Sequence, residues 1–333
     1  MDGVTDHPFR VITKKYGQPD LMYTEFVNVE GICKSGKPFL LRALYFREEE
    51  RPLIAQIYGK TPEFFYEVSI LLCYLGFDGI DINMGCPSKN VASSGGGAAL
   101  IKTPDLAVKI IQACQQASQD FANGFKLEDL AYISGAIKKE IKNKNPQRIR
   151  LPISVKTRIG FDKIITENWI QILLNTKPDA IAVHGRTLRQ QYSGLANWEE
   201  IGKAAQLAKA AQVTFLGNGD IKSRAEALEK IEKYDLDGVL IGRATWGNPL
   251  VFKNISRTTC RAANKKQVKI ALEHARLFES FYQQYDKYSF LPMRKHLAWY
   301  IKGVDNAAQI RSELVRTNNS QEVEEVFRKY GLF

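Results

Sequence analysis

"DGIDINMGCPSKN" (residues 78–90) decides how this chain folds. Its GIDIN segment, 79–83, is a short apolar run rich in β-branched residues, the pattern of a strand buried on both faces. It runs directly into a lone cysteine, Cys86, held between Gly85 and Pro87. Strands covered on both sides belong to parallel sheets layered with helices, and barrels of that kind keep their chemistry in the loops at the carboxyl ends of the strands. A cysteine in that loop is either packing filler or a reagent.

The pattern recurs outward in both directions. LMYTEF (21–26), PLIAQIY (52–58), PISVKTRI (152–159), AIAVHG (180–185), VTFLGNG (213–219) and GVLIGR (238–243) bring the strand candidates to seven. Helical stretches such as TPEFFYEVSILLCYLG and TPDLAVKIIQACQQA separate them. The opening MDGVTDHPFR has no signal-peptide pattern and reads as a turn followed by a helix start. If MDG is the loop left at the end of a clipped first strand, the count becomes eight, as a (β/α)8 TIM barrel requires. A doubly wound open sheet is the alternative, and no GxGxxG follows the first strand to support it.

Beyond residue 250 the strands stop. VKIALEHARLFESFYQQY, LPMRKHLAWYIKG, AAQIRSELVR and SQEVEEVFRKY read as amphipathic helices, a helical module over 255–333 behind a barrel over 1–250. That module carries 14 Lys or Arg against 8 Asp or Glu, so it holds +6 of the chain's +11. Such an excess fits a polyanionic partner. The stretch from about 115 to 148 is rich in lysine and asparagine and longer than a crossover needs; it is expected to extend the helix after GIDIN as a solvated insertion, with contact to the polyanionic partner as the second choice. Five cysteines without a CxxC pair argue against a disulfide framework or a zinc site and point to a reducing, cytoplasmic setting. No run of about 18 apolar residues is present to cross a membrane.

The carboxyl ends of the strand candidates share a row of polar residues: Met1 and Asp2, Glu25, Gln56, Asn83 with Cys86, Lys156 with Arg158, His184 with Arg186, Asn218 with Asp220, and Gly242 with Arg243. Singly, each reads as a surface or capping residue; their common position is the signal. GNGD (217–220) and IGRA (241–244) offer glycines through which backbone N–H groups can approach an anion, with Arg243 to add charge, where barrels build phosphate sites. A phosphate-bearing cofactor is implied. Lys156 can stabilise negative charge on a reduced isoalloxazine, and the Gln56 amide can bond the ring edge, so FMN suits both. A Schiff-base lysine competes, but gives Cys86 no use.

Together MDGVTDHPFR, TEFVNVEG, AQIYG, DGIDINMGCPSKNV, GGGAAL, SVKTRIG, VHGRT, YSGLANW, GNGDI and GVLIGRATWGNP resemble the tRNA-dihydrouridine synthases in order and spacing. The cysteine segment and VHGRT with YSG are the specific ones. The resemblance implies an FMN enzyme that uses NADPH to reduce particular tRNA uridines to 5,6-dihydrouridine, hydride passing to C6 and a proton to C5 from Cys86. A thiol with an ordinary pKa of about 8.5 is mostly protonated at neutral pH, as that role needs. The resemblance also implies that Met1 and Asp2 lie in the flavin loop. It makes Gln56, Lys156 and His184 flavin ligands, and Asn218, Gly219, Asp220, Gly242 and Arg243 the phosphate cradle. It sets Asn83 beside the target base and Arg186 as a substrate-side cation.

MRKHLAWYIKG (293–303) resembles the signature helix of the family's tRNA-gripping domain, with Arg294, Lys295 and Lys302 as phosphate contacts. The target base has to be extruded to reach a ring inside a barrel mouth, and Tyr192 is a candidate to stack on it. Cys33, Cys73, Cys114 and Cys260 read as packing or surface thiols. The expectation is a monomer acting on tRNA, without metal or membrane. Two alternatives stand beside it: a small-molecule FMN enzyme of the dihydroorotate dehydrogenase type, which needs no basic helical tail, and a tRNA-binding chaperone whose chemistry has lapsed.

Overall fold

The computed structural model describes residues 1–253 and 261–333, with side chains in the second stretch from residue 265. One sheet of seven parallel strands is built in sequence order: β1 (Met22–Asn28), β2 (Leu53–Tyr58), β3 (Gly79–Asn83), β4 (Ile153–Arg158), β5 (Ala180–His184), β6 (Thr214–Asn218) and β7 (Gly238–Leu240). Around it run α1 (His7–Gly17), α2 (Val29–Ser35), α3 (Pro62–Leu75), α4 (Lys89–Ser93), α5 (Pro104–Ala122), α6 (Gly135–Ile141), α7 (Thr166–Leu174), α8 (Trp198–Ala210) and α9 (Arg224–Tyr234). Neighbours in the sheet are neighbours in the chain, the winding of a TIM barrel.

The opening residues add no eighth strand. The N–H groups of Val4 and Thr5 both bond the Met1 carbonyl, and Asp6 caps α1 by accepting from the Phe9 N–H. The described sheet therefore pairs β1 and β7 on one side only. The N-terminal segment lies across that gap: a Cβ on Gly242 would stand 3.7 Å from Met1 Sδ, and α1 packs on residues 249–252 so closely that Gly17 has no room for a Cβ beside the Pro249 carbonyl.

Strand burial follows from the sequence. All five residues of β3 are buried, as a strand sandwiched between the barrel interior and covering helices must be. At the amino ends of three strands an aspartate makes the same clasp. Asp78, Asp179 and Asp237 each accept the N–H of a residue on the preceding strand, Leu53, Ile153 and Phe215, at 2.7 Å in every case. Each donates its own N–H back to that residue's carbonyl, at 3.1, 2.9 and 3.2 Å. Arg51 pairs with Asp78, and Arg150 grips Asp179 through both terminal nitrogens.

The stretch after α5 does not extend that helix, and it is solvated on one face while the other packs inward. α5 ends at Ala122, and Leu127, Leu130, Ile133, Ile137 and Ile141 then fold back into the main apolar core. Glu67 on α3, itself buried, accepts the N–H groups of Ala131, Tyr132 and Ile133 at 2.6, 2.6 and 3.0 Å. Its outer face, including Lys139, Lys142, Lys144 and Tyr132, is exposed.

At the carboxyl end of the chain α10 (Arg261–Tyr282), α11 (Leu291–Tyr300), α12 (Ala307–Leu314) and α13 (Ser320–Lys329) enclose a second core of Val268, Met293, Leu297, Ile310, Val323 and Phe327, which Ile12 of α1 joins. Trp246, beyond β7, stacks on Trp299 of α11 at 4.5 Å between ring centres. Residue 255, where the helical module was expected to begin, and Cys260 lie outside the described residues. Among the described residues no helix is long and apolar enough to cross a membrane.

Candidate active site

Strand register sets the site. Across the sheet Gln56 pairs with Asp81, Asn83 with Lys156, Arg158 with His184, and His184 with Asn218. Residues two apart on one strand share a face, so Asp81 and Asn83 share one side of β3, and Lys156 and Arg158 share one side of β4. Side-chain bonds tie these neighbours together. The Gln56 Nε2 donates to Asp81 Oδ2 at 2.7 Å, and the Asn83 Nδ2 donates to Gln56 Oε1 at 3.0 Å.

Cys86 leaves the top of β3 in a loop fixed from two sides. Asn83 Oδ1 accepts the N–H groups of Gly85 and Cys86 at 3.1 and 2.9 Å, and Arg158 Nε donates to the Gly85 carbonyl at 2.7 Å. Gly85 is not itself forced, since a Cβ there would make ordinary 3.4 Å contacts. The glycine this loop requires is Gly97, at φ +58°, where a Cβ would press on Cys86 and Val91. The thiol is 8% exposed, and burial pushes it above the usual cysteine range against the opposing Ser88 backbone bond and the Arg158 and Lys156 charges.

Beside it the field is cationic. Burial, with Arg158 adding to it, lowers Lys156 to about 8, and no described residue offers its ammonium a hydrogen bond or ion pair. Burial also pushes His184 down to about 2, helped by Lys156, Arg158, Arg186 and Arg243. The ring is therefore neutral, and Arg186 Nη1, 3.2 Å away, donates to its Nε2. Arg186 is buried: its Nη2 donates to Asp220 Oδ2 and to the Gly194 carbonyl, both at 2.6 Å, bracing the loop after β5. Asp220 also accepts the Ala196 N–H at 2.9 Å and Arg243 Nη2 at 2.8 Å. Burial would raise this carboxyl, but those bonds and charges hold it below the usual carboxylate range. Gly219, at φ +142°, leaves no space for a Cβ beside Ala196, and Asn218 Nδ2 donates to the Leu240 carbonyl at 2.8 Å.

Residues 1–121 and 133–330 match the family described as Dihydrouridine synthase (Dus). This chain belongs to the dihydrouridine synthase family. The unmatched residues 122–132 fall in the stretch that Glu67 pins down. Among relatives, the "Probable tRNA-dihydrouridine synthase" of Staphylococcus aureus (strain MRSA252) is 34% identical over 97% of this chain and 88% of its own length. The "Probable tRNA-dihydrouridine synthase 2" of Bacillus subtilis (strain 168) is 32% identical over 97% of this chain and 90% of its own. A solved structure of DHODH from Eimeria tenella in complex with ferulenol aligns at TM-score 0.42 and 17% identity, over 68% of this chain and 60% of that one, a likeness too loose to carry an argument.

Within the dihydrouridine synthase framework, the structure brings Gln56, Asn83, Cys86, Lys156, His184, Arg186, Asn218, Asp220 and Arg243 to one end of the sheet, with Met1 beside Gly242. Tyr192 is 58% exposed under the Arg243 guanidinium, 4.7 Å from its ring centre. The helical candidates stand apart and are partly engaged. Arg294 donates to the carbonyls of Thr317 and Arg316 and to Asn318, closing the end of α12, and the Lys295 ammonium bonds the Gly3 carbonyl. Lys302 is exposed. Sequence reasoning passed over Asp81, although two polar residues at spacing two inside an otherwise apolar strand mark it out. It also passed over Arg158 as the brace of the cysteine loop.

Proposed function

We propose that this chain reduces the C5–C6 double bond of uridine in tRNA to 5,6-dihydrouridine, with FMN as cofactor, NADPH as reductant and Cys86 as proton donor. Family membership and the relatives' names support the reaction and the substrate. The observation that carries the finer reading is a buried, protonated thiol set beside a desolvated lysine to which no described residue offers a hydrogen bond or ion pair.

The residues fit a flavin. An ammonium with no hydrogen-bond partner among the described residues, beside Arg158 and a neutral His184 on which Arg186 and Arg243 also act, calls for an anionic or electron-rich group to complete the pocket, and the sharply turned Gly219 beside Arg243 lets backbone approach a phosphate. Gln56, Lys156 and His184 would hold the ring, and Asn218–Asp220 with Gly242 and Arg243 the phosphate. Bound FMN, reduced by NADPH, supplies the hydride that C6 receives.

The chain's own residues supply the rest. Cys86 gives its proton to C5: the S–H bond breaks, a C5–H bond forms, and the thiolate left behind takes a proton from water. Its raised pKa keeps the proton in place until the base arrives, while the Arg158 and Lys156 charges ease the thiolate that follows. His184 never charges in the working range, so it acts as a fixed hydrogen-bonding group rather than an acid or base. Asn83 and Arg158 hold the loop's backbone, so the thiol need not be ordered again in each turnover. Tyr192 is placed to stack on an extruded base, and Lys302, Arg294 and Lys295 lend the helical module charge toward phosphates. The setting is the cytoplasm, where tRNA is at hand.

Mapping dihydrouridine in tRNA from cells with and without this gene tests the reading. The expected result is loss of the modification at one or more uridines, restored by the yellow purified protein with NADPH. An unchanged map, or a protein that takes up no flavin, would overturn it.

A further inference from the structure

Asp81 lies fully buried in the middle of β3, at the root of a single line of hydrogen bonds. Ser154 Oγ donates to its Oδ1 at 2.6 Å and Gln56 Nε2 to its Oδ2 at 2.7 Å. Asn83 Nδ2 follows onto Gln56 Oε1 at 3.0 Å, and the Gly85 and Cys86 N–H groups onto Asn83 Oδ1 at 3.1 and 2.9 Å. Both ends of this line have fixed polarity. A carboxylate only accepts and a backbone N–H only donates. Between them the two side-chain amides are each free to turn over, and one orientation alone satisfies both ends. Gln56 has to show its NH2 to Asp81 and its oxygen to Asn83; Asn83 then has to show its NH2 to Gln56 and its oxygen to the cysteine loop. With the acceptor at the root removed, Gln56 can turn, donors meet donors at Asn83, and the loop N–H groups lose their partner where Asn83 and Cys86 are buried.

We propose that Asp81 is a positioning residue, whose acceptor oxygen orients the Gln56 and Asn83 amides in series and so holds the Cys86 loop in its bonded shape. The proposal rests on the proton-donor reading of Cys86 for its effect on turnover, but not for its effect on the loop. Burial raises the Asp81 carboxyl to about 6, opposed by the Ser154 and Gln56 bonds and by the Lys156 charge, so the carboxylate form prevails at neutral pH. The charge on Lys156 is the rival account: Asp81 also lies near enough to act on that ammonium.

Two substitutions separate these accounts. Asp81→Leu fills a similar volume but offers no acceptor. Asp81→Asn removes the charge yet keeps an oxygen for Gln56, with its NH2 turned to the Ser154 hydroxyl. In apo protein, alkylation of Cys86 by iodoacetamide, followed on its own peptide by mass spectrometry, should quicken at least about tenfold in Asp81→Leu, because loosened loops open more often. In the same variant kcat on tRNA should fall by roughly tenfold or more with KM within about twofold, the mark of a lost transition-state arrangement rather than lost tRNA binding. Asp81→Asn should stay within about threefold of the parent in both, because the bond polarity survives. Unchanged alkylation in Asp81→Leu overturns the proposal, and so does Asp81→Asn losing as much as Asp81→Leu, which would give the role to charge. If Asp81→Leu does not fold, Gln56→Met breaks the line at its middle, and unchanged alkylation there is equally fatal. Alkylation needs neither flavin nor tRNA, so a parent protein that makes no dihydrouridine would sink the functional reading and leave this test standing.

Discussion

The two ends of the same seven strands carry polar residues in equal plainness, and they treat them in opposite ways. At the amino ends, Asp78, Asp179 and Asp237 are each met by a backbone N–H, and two of them by an arginine as well. At the carboxyl ends the charges outnumber their partners. Among the described residues the Lys156 ammonium has no hydrogen bond or ion pair and the buried Arg186 Nε no acceptor, and His184 is held neutral by burial, helped by the cations around it. Satisfied polar groups stabilise, whereas unsatisfied ones cost stability and are kept where they serve chemistry. The difference between the ends therefore marks which one works and which one holds.

The sharpest way to break this contrast is Cys86→Ala. A positioned general acid contributes about 10²–10⁴-fold, so turnover on tRNA should fall by that order while flavin colour, its reduction by NADPH and the unfolding midpoint stay close to the parent's. Equal turnover would remove the proton donor from the account. The matching substitution at the other end is Asp179→Ala. It deprives the Ile153 N–H and the Arg150 fork of their acceptor, and should cost about 1–3 kcal/mol in urea unfolding. Below the unfolding range its kcat should equal the parent's. A fall in kcat without a fall in stability would mean that the amino ends are not merely structural.

How much of this is legible in the sequence follows from the same contrast. Short runs rich in β-branched residues mark the strands well, GIDIN to the residue, because burial on both faces keeps Ile80 and Ile82 in the pattern even though Asp81 and Asn83 interrupt it. The carboxyl-end site is legible because its members share a position after successive strands. The aspartate clasps are not: in FDGI, PDAI and LDGV an aspartate beside glycine or alanine reads as a turn, and its partner lies on another strand. The packing of residues 127–141 is hidden for a similar reason. Its lysines suggest a solvated face, while the group that anchors it, Glu67, sits 64 residues away from Ala131 on a helix where a carboxylate is expected to face water. The spacing of Asp81 and Asn83 marks the acid out, but nothing in the sequence shows that its bonds travel two side chains onward to a cysteine.

The finest test of the contrast is thermodynamic. Lys156 is drawn down to about 8 in the fold from an ordinary 10.5, chiefly by burial. Below pH 8 both states carry the charge, and the folded protein bears the full cost of keeping it from water. Between the two values the folded state gives up its proton first, so the unfolded chain binds more protons and stability rises with pH. Lys156→Met removes the charge at every pH. In apo protein it should therefore be more stable than the parent at neutral pH, by about 1 kcal/mol in urea unfolding, and that advantage should shrink as the pH passes from 8 toward 10.5. Its turnover on tRNA should collapse at the same time. A variant no more stable than the parent at neutral pH, or one whose advantage grows with pH, would show that Lys156 has a partner after all, and that the carboxyl end is as settled as the amino end.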